Sequence, residues 1–220
     1  MLNVTSIKES SFRIAGPWVL GLFSLSAATF VVAARMAGWY GGPNSRFLLL
    51  PFVAVLGGLT PLLAAMWAFE VPDALGTAML GTWGSFGIGY ALLEWLLLSG
   101  RLAEPVGPYH ELGFWFIPLA LITWVGAAAA GSAALGLTLA FLAAGATIAA
   151  VANLSLHGGL LMAAGWLLLI ASAIGWYTAT AMMFEATSGR QIWPLGRMTQ
   201  RVAPITEPMP GPSAAARHAG

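Results

Sequence analysis

Two carboxylates, Glu94 and Glu185, lie near the ends of long apolar segments, where an ionisable side chain can do chemistry. A charged side chain inside a membrane segment costs about 2.5–3.5 kcal/mol on insertion scales, and such residues often mark pathways for protons or substrates. Each glutamate is therefore a candidate proton waypoint at the mouth of a pore. The alternative for each is a position at the membrane interface or in an ion pair with an arginine of a loop.

The residue pattern offers no arrangement typical of an enzyme or a metal site. The three histidines, at positions 110, 157 and 218, fall in loops or in the C-terminal tail, and no two share a helix face. The chain has no cysteine, which excludes thiolate ligands, disulfides and cysteine nucleophiles. No serine lies in a Gly-x-Ser-x-Gly pattern. We therefore expect no enzymatic activity, no metal site and no cofactor.

Composition places the chain in a lipid bilayer. Of its 220 residues, 59% are hydrophobic and 8% are charged, whereas soluble domains carry roughly 25% charged residues. So few charges cannot cover a water-facing surface, and the apolar surplus must therefore face lipid. The net charge of +1 argues against nucleic acid as a partner.

Six segments are long and apolar enough to cross the hydrocarbon core, which takes about 20 residues. They run over Pro17–Gly38, Phe47–Phe69, Ala74–Ser99, Leu112–Ala130, Ala133–Val151 and Gly158–Phe184. Only Gly131 and Ser132 separate the fourth span from the fifth, which requires a tight turn there. The sequence thus predicts an all-α membrane protein, a bundle of six transmembrane helices.

The distribution of lysine and arginine predicts the orientation of this bundle. Six spans place both termini on one side, and that side carries six of the nine basic residues. The other side carries Arg35, Arg46 and Arg101. Because cytoplasmic loops are enriched in basic residues, both termini are predicted to be cytoplasmic. Residues 1–16 then form a cytoplasmic N-terminal segment, 17–186 the membrane domain, and 187–220 a cytoplasmic, Pro-rich and largely disordered tail.

Backbone groups are a second source of chemistry in the spans. Pro61 cannot donate a hydrogen bond to the carbonyl of Gly57, and neither Gly57 nor Gly58 has a side chain to cover that carbonyl. The stretch could expose acceptors to a path through the bundle, or it could be a packing kink. Gly84 and Ser85 lie in a third span rich in glycine, which permits close helix contact or leaves room for a path.

An anion would have to be held without a basic residue, because the middle of every span lacks one. Helix N-termini and indole N–H groups are the alternative donors. Pro17 is of the type favoured at the first position of a helix, which leaves the N–H groups of Trp18 and the residues after it free. We therefore predict weak carboxylate binding between Gly16 and Val19.

Three stretches together carry a resemblance to a known family. They are Gly16-Pro17-Trp18-Val19-Leu20-Gly21-Leu22; Gly57-Gly58-Leu59 with Ala65-Met66-Trp67-Ala68-Phe69, Leu75-Gly76 and Gly84-Ser85-Phe86; and Ala164-Gly165-Trp166 with Gly189-Arg190-Gln191-Ile192-Trp193-Pro194-Leu195-Gly196. Their order and spacing resemble the acetate uptake transporter family, which includes the bacterial succinate–acetate permeases. The first stretch is similar to that family's Asn-Pro-Ala-Pro-Leu-Gly-Leu signature.

The resemblance implies a multi-pass protein of the bacterial cytoplasmic (inner) membrane that assembles as a homo-hexamer with one path in each protomer. It implies carriage of acetate or a related short carboxylate, coupled to protons, past an apolar constriction. The constriction residues it implies are Leu25, Trp83 and Leu137. The substrate path it implies contains Gly16, Pro17, Trp18, Leu20, Gly21, Gly57, Gly58, Pro61, Gly84 and Ser85.

Two departures from the family pattern leave the substrate open. Gly16 stands where the family has asparagine, and Pro61 stands where it has glutamine, so two polar side chains are missing. A pore for a small neutral solute, such as urea, an amide or the undissociated acid, is the first alternative. The second is a membrane subunit that transports nothing and assembles or anchors a partner.

Overall fold

The protein is described by a computed structural model, which covers residues 16–42, 44–103 and 108–197. Its helices are α1 (Pro17–Met36), α2 (Ser45–Phe52), α3 (Thr60–Glu70), α4 (Ala74–Leu98), α5 (His110–Ala129), α6 (Ala133–Leu154) and α7 (Gly158–Ser188). A π-helical segment, Val53–Leu59, joins α2 to α3 without a break. The cytoplasmic N-terminal segment expected before residue 16 and the tail beyond residue 197 lie outside the described residues.

The predicted bundle of six spans is confirmed, with α2, the π segment and α3 together forming the second span. Within the described residues, five of the six spans are apolar and long enough to cross a membrane by composition alone. The remaining span is the third one, α4. It is long enough at 25 residues, but its glycine, serine and threonine residues lower its mean hydropathy. Which side of the membrane holds the termini stays a prediction.

Polar residues cap the N-termini of two helices where the sequence turns hydrophilic. Asp73 caps α4, because its Oδ1 accepts the backbone N–H of Gly76 at 2.9 Å. Ser132 caps α6 in the same way, accepting the N–H of Leu135 at 3.4 Å. The tight turn predicted between the fourth and fifth spans is confirmed there.

The six spans follow one another around a closed ring. Helix α6 packs between α5 and α7, α7 packs on α1, and α1 packs on the second span, which packs on α4. The ring closes between α4 and α5, where the packing is looser. Small side chains such as Ala33, Ala146 and Ala164 are fully buried and let the helices approach closely. Large apolar side chains such as Phe52, Trp115 and Val125 are exposed on the outside, where lipid can cover them.

The second span crosses α4 through glycines. A Cβ added at Gly87 would overlap the carbonyl oxygen of Gly57, and one added at Gly84 would lie 2.8 Å from the backbone nitrogen of Leu62. The carbonyl of Gly57 therefore abuts the backbone of α4. This close contact agrees with the packing expectation for the stretch, and Gly57 also lines the vestibule described below.

The last helix and the chain after it differ from the predicted tail. Helix α7 continues to Ser188, and residues 189–197 fold back along the bundle instead of leaving it. The backbone N–H of Ala133 donates to the carbonyl of Gly196 at 2.7 Å, and the hydroxyl of Tyr177 donates to that of Pro194 at 2.8 Å. The predicted start of a disordered tail at residue 187 is thus too early, because aromatic and backbone contacts hold this segment.

Candidate functional site

A large cavity opens inside the ring at the end that carries the α1–α2 and α4–α5 connections, and we call it the vestibule. Its volume is about 380 Å³, which falls in the usual range of small-molecule sites. Its polar and charged lining consists of Thr29, Arg35, Arg46, Tyr90, Glu94, Tyr109 and Asn153. Most of the remaining lining is apolar or aromatic, including Phe86 and Phe116, whose ring centroids lie 5.2 Å apart.

A much smaller cavity lies deeper, and we call it the inner chamber. At about 10 Å³ it has room for about one water molecule. Helices α1, α4, α6 and α7 surround it. Its apolar walls include Leu22, Leu139 and Leu142. Its lining residues with a polar group are Trp18, Ser26, Thr29, Trp83, Thr138 and Ser172. No charged side chain lines it among the described residues.

The vestibule and the inner chamber meet at Leu25, Thr29 and Trp83, which line both cavities. Leu25 comes from α1 and Trp83 from α4, and both are buried. The Trp83 indole N–H donates to Oγ1 of Thr123 on α5 at 2.9 Å, which holds the ring across this junction. The structure therefore brings together two of the three residues predicted to form a constriction.

Leu137 does not join them, and its predicted position is wrong. Its side chain is 51% exposed on the outside of α6. Leu139 and Leu142 of the same helix are buried and line the inner chamber. Because side chains rotate by about 100° per residue along an α-helix, a shift of two residues moves a position to the far side.

The start of α1 is placed as predicted, but it does not offer a free anion site. Gly16 precedes the helix and Pro17 is its first residue. The N–H of Val19 already donates to the carbonyl of Gly16 at 3.2 Å. The indole N–H of Trp18 donates to Oδ2 of Asp73 at 2.5 Å, so a carboxylate of the chain itself occupies this donor. A substrate carboxylate would meet a like charge here.

The other residues of the expected substrate path lie mostly in helix contacts. Trp18 lines the inner chamber and Gly57 lines the vestibule. Gly21 packs against Leu80, while Leu20 is exposed on the outside of α1. Gly58, Pro61 and Gly84 are buried where the second span crosses α4. Ser85 is exposed on the outside of α4.

The two glutamates both pair with arginine, as the alternative for each anticipated. Glu94 is only 7% exposed and lies at the vestibule, with its Oε2 3.6 Å from Nε of Arg46. Glu185 pairs with Arg197 near the other end of the bundle and lines neither the vestibule nor the inner chamber. Of the two candidate waypoints, Glu94 alone has access to a cavity described here.

Sequence reasoning missed several of the polar side chains that line the vestibule. The middle of each span lacks a basic residue, as the sequence indicated, but Arg35 and Arg46 from the ends of spans one and two both line the vestibule. Asn153 is buried and holds the loop in place, since its Oδ1 accepts the N–H of Tyr109 at 3.1 Å and its Nδ2 donates to the carbonyl of Ala149 at 2.8 Å. The six-span topology could have indicated this cluster, because it puts the C-terminal ends of spans one, three and five at the same face of the bundle.

A family model described as the GPR1/FUN34/yaaH family matches residues 1–199. The chain belongs to this family. The resemblance to the acetate uptake transporters is thereby confirmed, and this GPR1/FUN34/yaaH protein is a multi-pass membrane protein and not an enzyme. Within the described residues, no group of three His, Asp or Glu side chains could bind a metal ion.

Two comparisons extend the assignment of this family member. It is 26% identical over 189 residues to a protein named glyoxylate pathway regulator from Yarrowia lipolytica, covering 82% of this chain and 68% of that protein. Its fold matches the solved structure of the bacterial acetate channel SatP with a TM-score of 0.75 and 20% identity, over 84% of this chain and all of that one. The likeness to SatP shows that the family member has the channel's fold.

Proposed function

We propose that the chain passes acetate or a related short carboxylate across a membrane, through the vestibule, the Leu25–Trp83 junction and the inner chamber. The single observation that carries this is the pair of cavities that meet at Leu25 and Trp83. It is supported by membership of the family and by a fold shared with the bacterial acetate channel SatP.

The change in lining along the proposed path supports proton coupling. The vestibule has charged side chains, whereas the inner chamber has an apolar lining with a few hydroxyl-bearing side chains and no described charge. An anion leaving the vestibule would lose its charged partners at an apolar junction that excludes water. The undissociated acid loses less on this transfer, so we propose that transport rises as the pH falls toward the carboxyl pKa of about 4.

Uptake of labelled acetate by purified protein in liposomes, measured from about pH 5 to 8, tests the proposal around that carboxyl pKa. We expect uptake above that of protein-free liposomes, and uptake that increases as the pH falls. Acetate uptake that stays at the background level would contradict transport and favour the membrane subunit that transports nothing. Flat uptake across the pH series would contradict proton coupling alone.

Substitution of Trp83 tests the junction. Trp83→Ala should widen the passage and admit larger acids, and Trp83→Phe should widen it less, because the phenyl ring replaces most of the indole. Trp124 is the matched control, since its indole lies half-exposed on α5 and bonds to Thr147. Trp124→Ala should leave size selection as in the wild type. Unchanged selectivity in both folded Trp83 variants would remove the junction from the transport path.

A neutral-solute pore is the second candidate, and the lining of the inner chamber favours it. Hydroxyls such as those of Ser26, Thr138 and Ser172 can bond to an amide as well as to a carboxylic acid. Urea flux in the same liposomes separates the two candidates. Urea passing faster than acetate at every pH would make the carboxylate proposal wrong.

Assembly and location are proposed from the family. We propose a homo-hexamer in the bacterial cytoplasmic membrane with both termini cytoplasmic, which is supported by the resemblance and by the apolar exterior, including Phe52 and Trp115. Native mass spectrometry of the protein released from detergent should show six chains. A monomer that retains acetate uptake would show that the path works without assembly into a hexamer.

A further inference from the structure

A small side pocket adjoins the vestibule between α1, the second span and α4. Its volume is about 30 Å³, which exceeds the roughly 10–15 Å³ that one water molecule needs. Four of its side chains, Arg35, Arg46, Tyr90 and Glu94, are polar and also line the vestibule. The other walls are leucine and valine side chains. A polar head group with an apolar remainder fits this arrangement.

The charges around the pocket do not cancel within the described residues. Arg46 and Glu94 form an ion pair, with 3.6 Å between Nε and Oε2. Arg35 is half-buried, and no described carboxylate pairs with it. A guanidinium in a partly apolar enclosure is stabilised by an anion that replaces lost water, and a carboxylate matches its planar donors. Among the described residues that line this pocket, two guanidinium groups thus accompany one carboxylate.

Two buried polar atoms beside the same residues have no described hydrogen-bond partner. They are the hydroxyl of Tyr109 and Oε2 of Glu94. Buried polar atoms are nearly always bonded, so each requires an explanation. Tyr109 lines the vestibule together with Arg35, Arg46 and Glu94, although it does not line the side pocket itself. That hydroxyl can donate to an incoming oxygen.

We propose that this cluster is a binding site for one short-chain monocarboxylate, with Arg35 as its anchor and the hydroxyl of Tyr109 as a second donor. Glu94 limits the site to a single negative charge, because a second carboxylate would face its ionised side chain. The inference rests on the proposed function for its class of ligand, and it adds a site of first capture that transport through the Leu25–Trp83 junction does not require.

Binding of acetate and succinate to detergent-purified protein, measured by isothermal titration calorimetry at neutral pH, tests the site. Arg35→Gln should weaken acetate binding by at least about tenfold, the range for loss of a hydrogen bond to a charged group. Arg101→Gln is the matched control, because it removes the same charge near the same end of the bundle. Arg101 stacks on Trp95 and lines neither the vestibule nor the side pocket. It should bind acetate as the wild type does.

Glu94→Gln should act in the opposite direction. It removes the negative charge that competes for Arg46, so acetate should bind more tightly and the preference for acetate over succinate should shrink. Arg35→Lys keeps the charge and should fold even if Arg35→Gln does not, and it should still lose several-fold in affinity because an ammonium lacks the planar pair of donors. Wild-type affinity in both folded Arg35 variants would overturn the proposal, as would unchanged selectivity in Glu94→Gln.

The two proposals fail in different ways. Acetate binding that depends on Arg35, with no uptake into liposomes, would leave the site standing and remove the transport function. Uptake that depends on Trp83, with acetate affinity indifferent to Arg35, would leave the transport function standing and remove the site.

Discussion

The indole N–H of Trp83 on α4 donates to the hydroxyl oxygen of Thr123 on α5 across 2.9 Å. Thr123 is fully buried, and its own O–H donates to the carbonyl of Leu119 at 2.6 Å. The hydroxyl therefore has a fixed direction, and so has the indole plane. Phe86 meets the same indole edge-on at 5.9 Å between ring centroids. These two hydrogen bonds and the ring contact hold Trp83 where the vestibule and the inner chamber join.

Removing the Thr123 hydroxyl should loosen that junction. Thr123→Val keeps the shape of the side chain but leaves the indole N–H without its partner, which costs about 1–3 kcal/mol for a buried donor. We expect the indole to move and size selection among short acids to weaken in liposome flux assays. Thr123→Ser restores the hydroxyl and should restore selection. Equal selection in the Val and Ser variants would show that the bond does not position the ring.

Leu142 and Leu137 form a matched pair on α6. Leu142 is 3% exposed and lines the inner chamber, whereas Leu137 is 51% exposed on the outside. Leu142→Ala should enlarge the inner chamber and raise the flux of acids larger than acetate, at a cost of about 2–5 kcal/mol in stability. Leu137→Ala should change neither flux nor selectivity. Altered selectivity in the Leu137 variant alone would put the path on the other face of α6.

Gly87 should be intolerant of any side chain. A methyl group there would overlap the carbonyl oxygen of Gly57, which is backbone and cannot rotate away. Gly87→Ala should lower the thermal stability of the purified protein, by about 1–3 kcal/mol if the second span can shift. Gly89, two residues along α4, has nothing within 4 Å of its added Cβ, so Gly89→Ala should leave the melting temperature unchanged. A melting temperature equally unchanged in Gly87→Ala would contradict the close crossing.

Cysteine labelling should establish the orientation, because the chain has no native cysteine. Cysteines at Ser45 and Gly107 should react with a membrane-impermeant maleimide in intact cells. A cysteine at Ser188, at the opposite end of the bundle, should react only after permeabilisation. Reaction of Ser188 and protection of Ser45 would reverse the predicted orientation.

Tyr109 should act as a donor over a wide range of pH. Burial and the nearby charge of Glu94 raise the pKa of Tyr109 from 10.0 to about 12. The raised pKa favours the protonated hydroxyl, and this preference is lost only as the pH rises through about 12. Tyr109→Phe should weaken acetate binding by about two- to tenfold, and to the same extent at pH 7 and pH 9, as expected for one neutral hydrogen bond. A difference that disappears at pH 9 would mean that the hydroxyl ionises lower.

Much of the bundle could be predicted because the bilayer imposes simple rules of length. Apolar runs of about 20 residues must cross the membrane as helices, since lipid offers no partner to an open backbone. Pro17 marks the start of α1, and Gly131 and Ser132 mark the turn before α6, through local backbone chemistry. Leu25 and Trp83 were placed through their register with family motifs that also fix the start of α1 and the glycines of α4.

The remainder depended on which face of each helix points inward. Helix α6 is apolar on every face, so no periodicity distinguishes Leu137 from Leu139 or Leu142, and only packing against α1 and α7 decides. The segment after α7 is held by contacts with α6 and with Tyr177, which lie far from it in sequence.

The sequence by itself determined a six-span membrane protein, because apolar length and helix-end residues act locally. It contained Arg35, Arg46 and Glu94 as three charges near the ends of three different spans. Only the tertiary structure decided that they share one pocket, because the ring of helices brings the ends of α1, α2 and α4 to one face. Electrostatic interaction falls with distance in space, so charges that are distant along the chain become a site only when the fold closes around them.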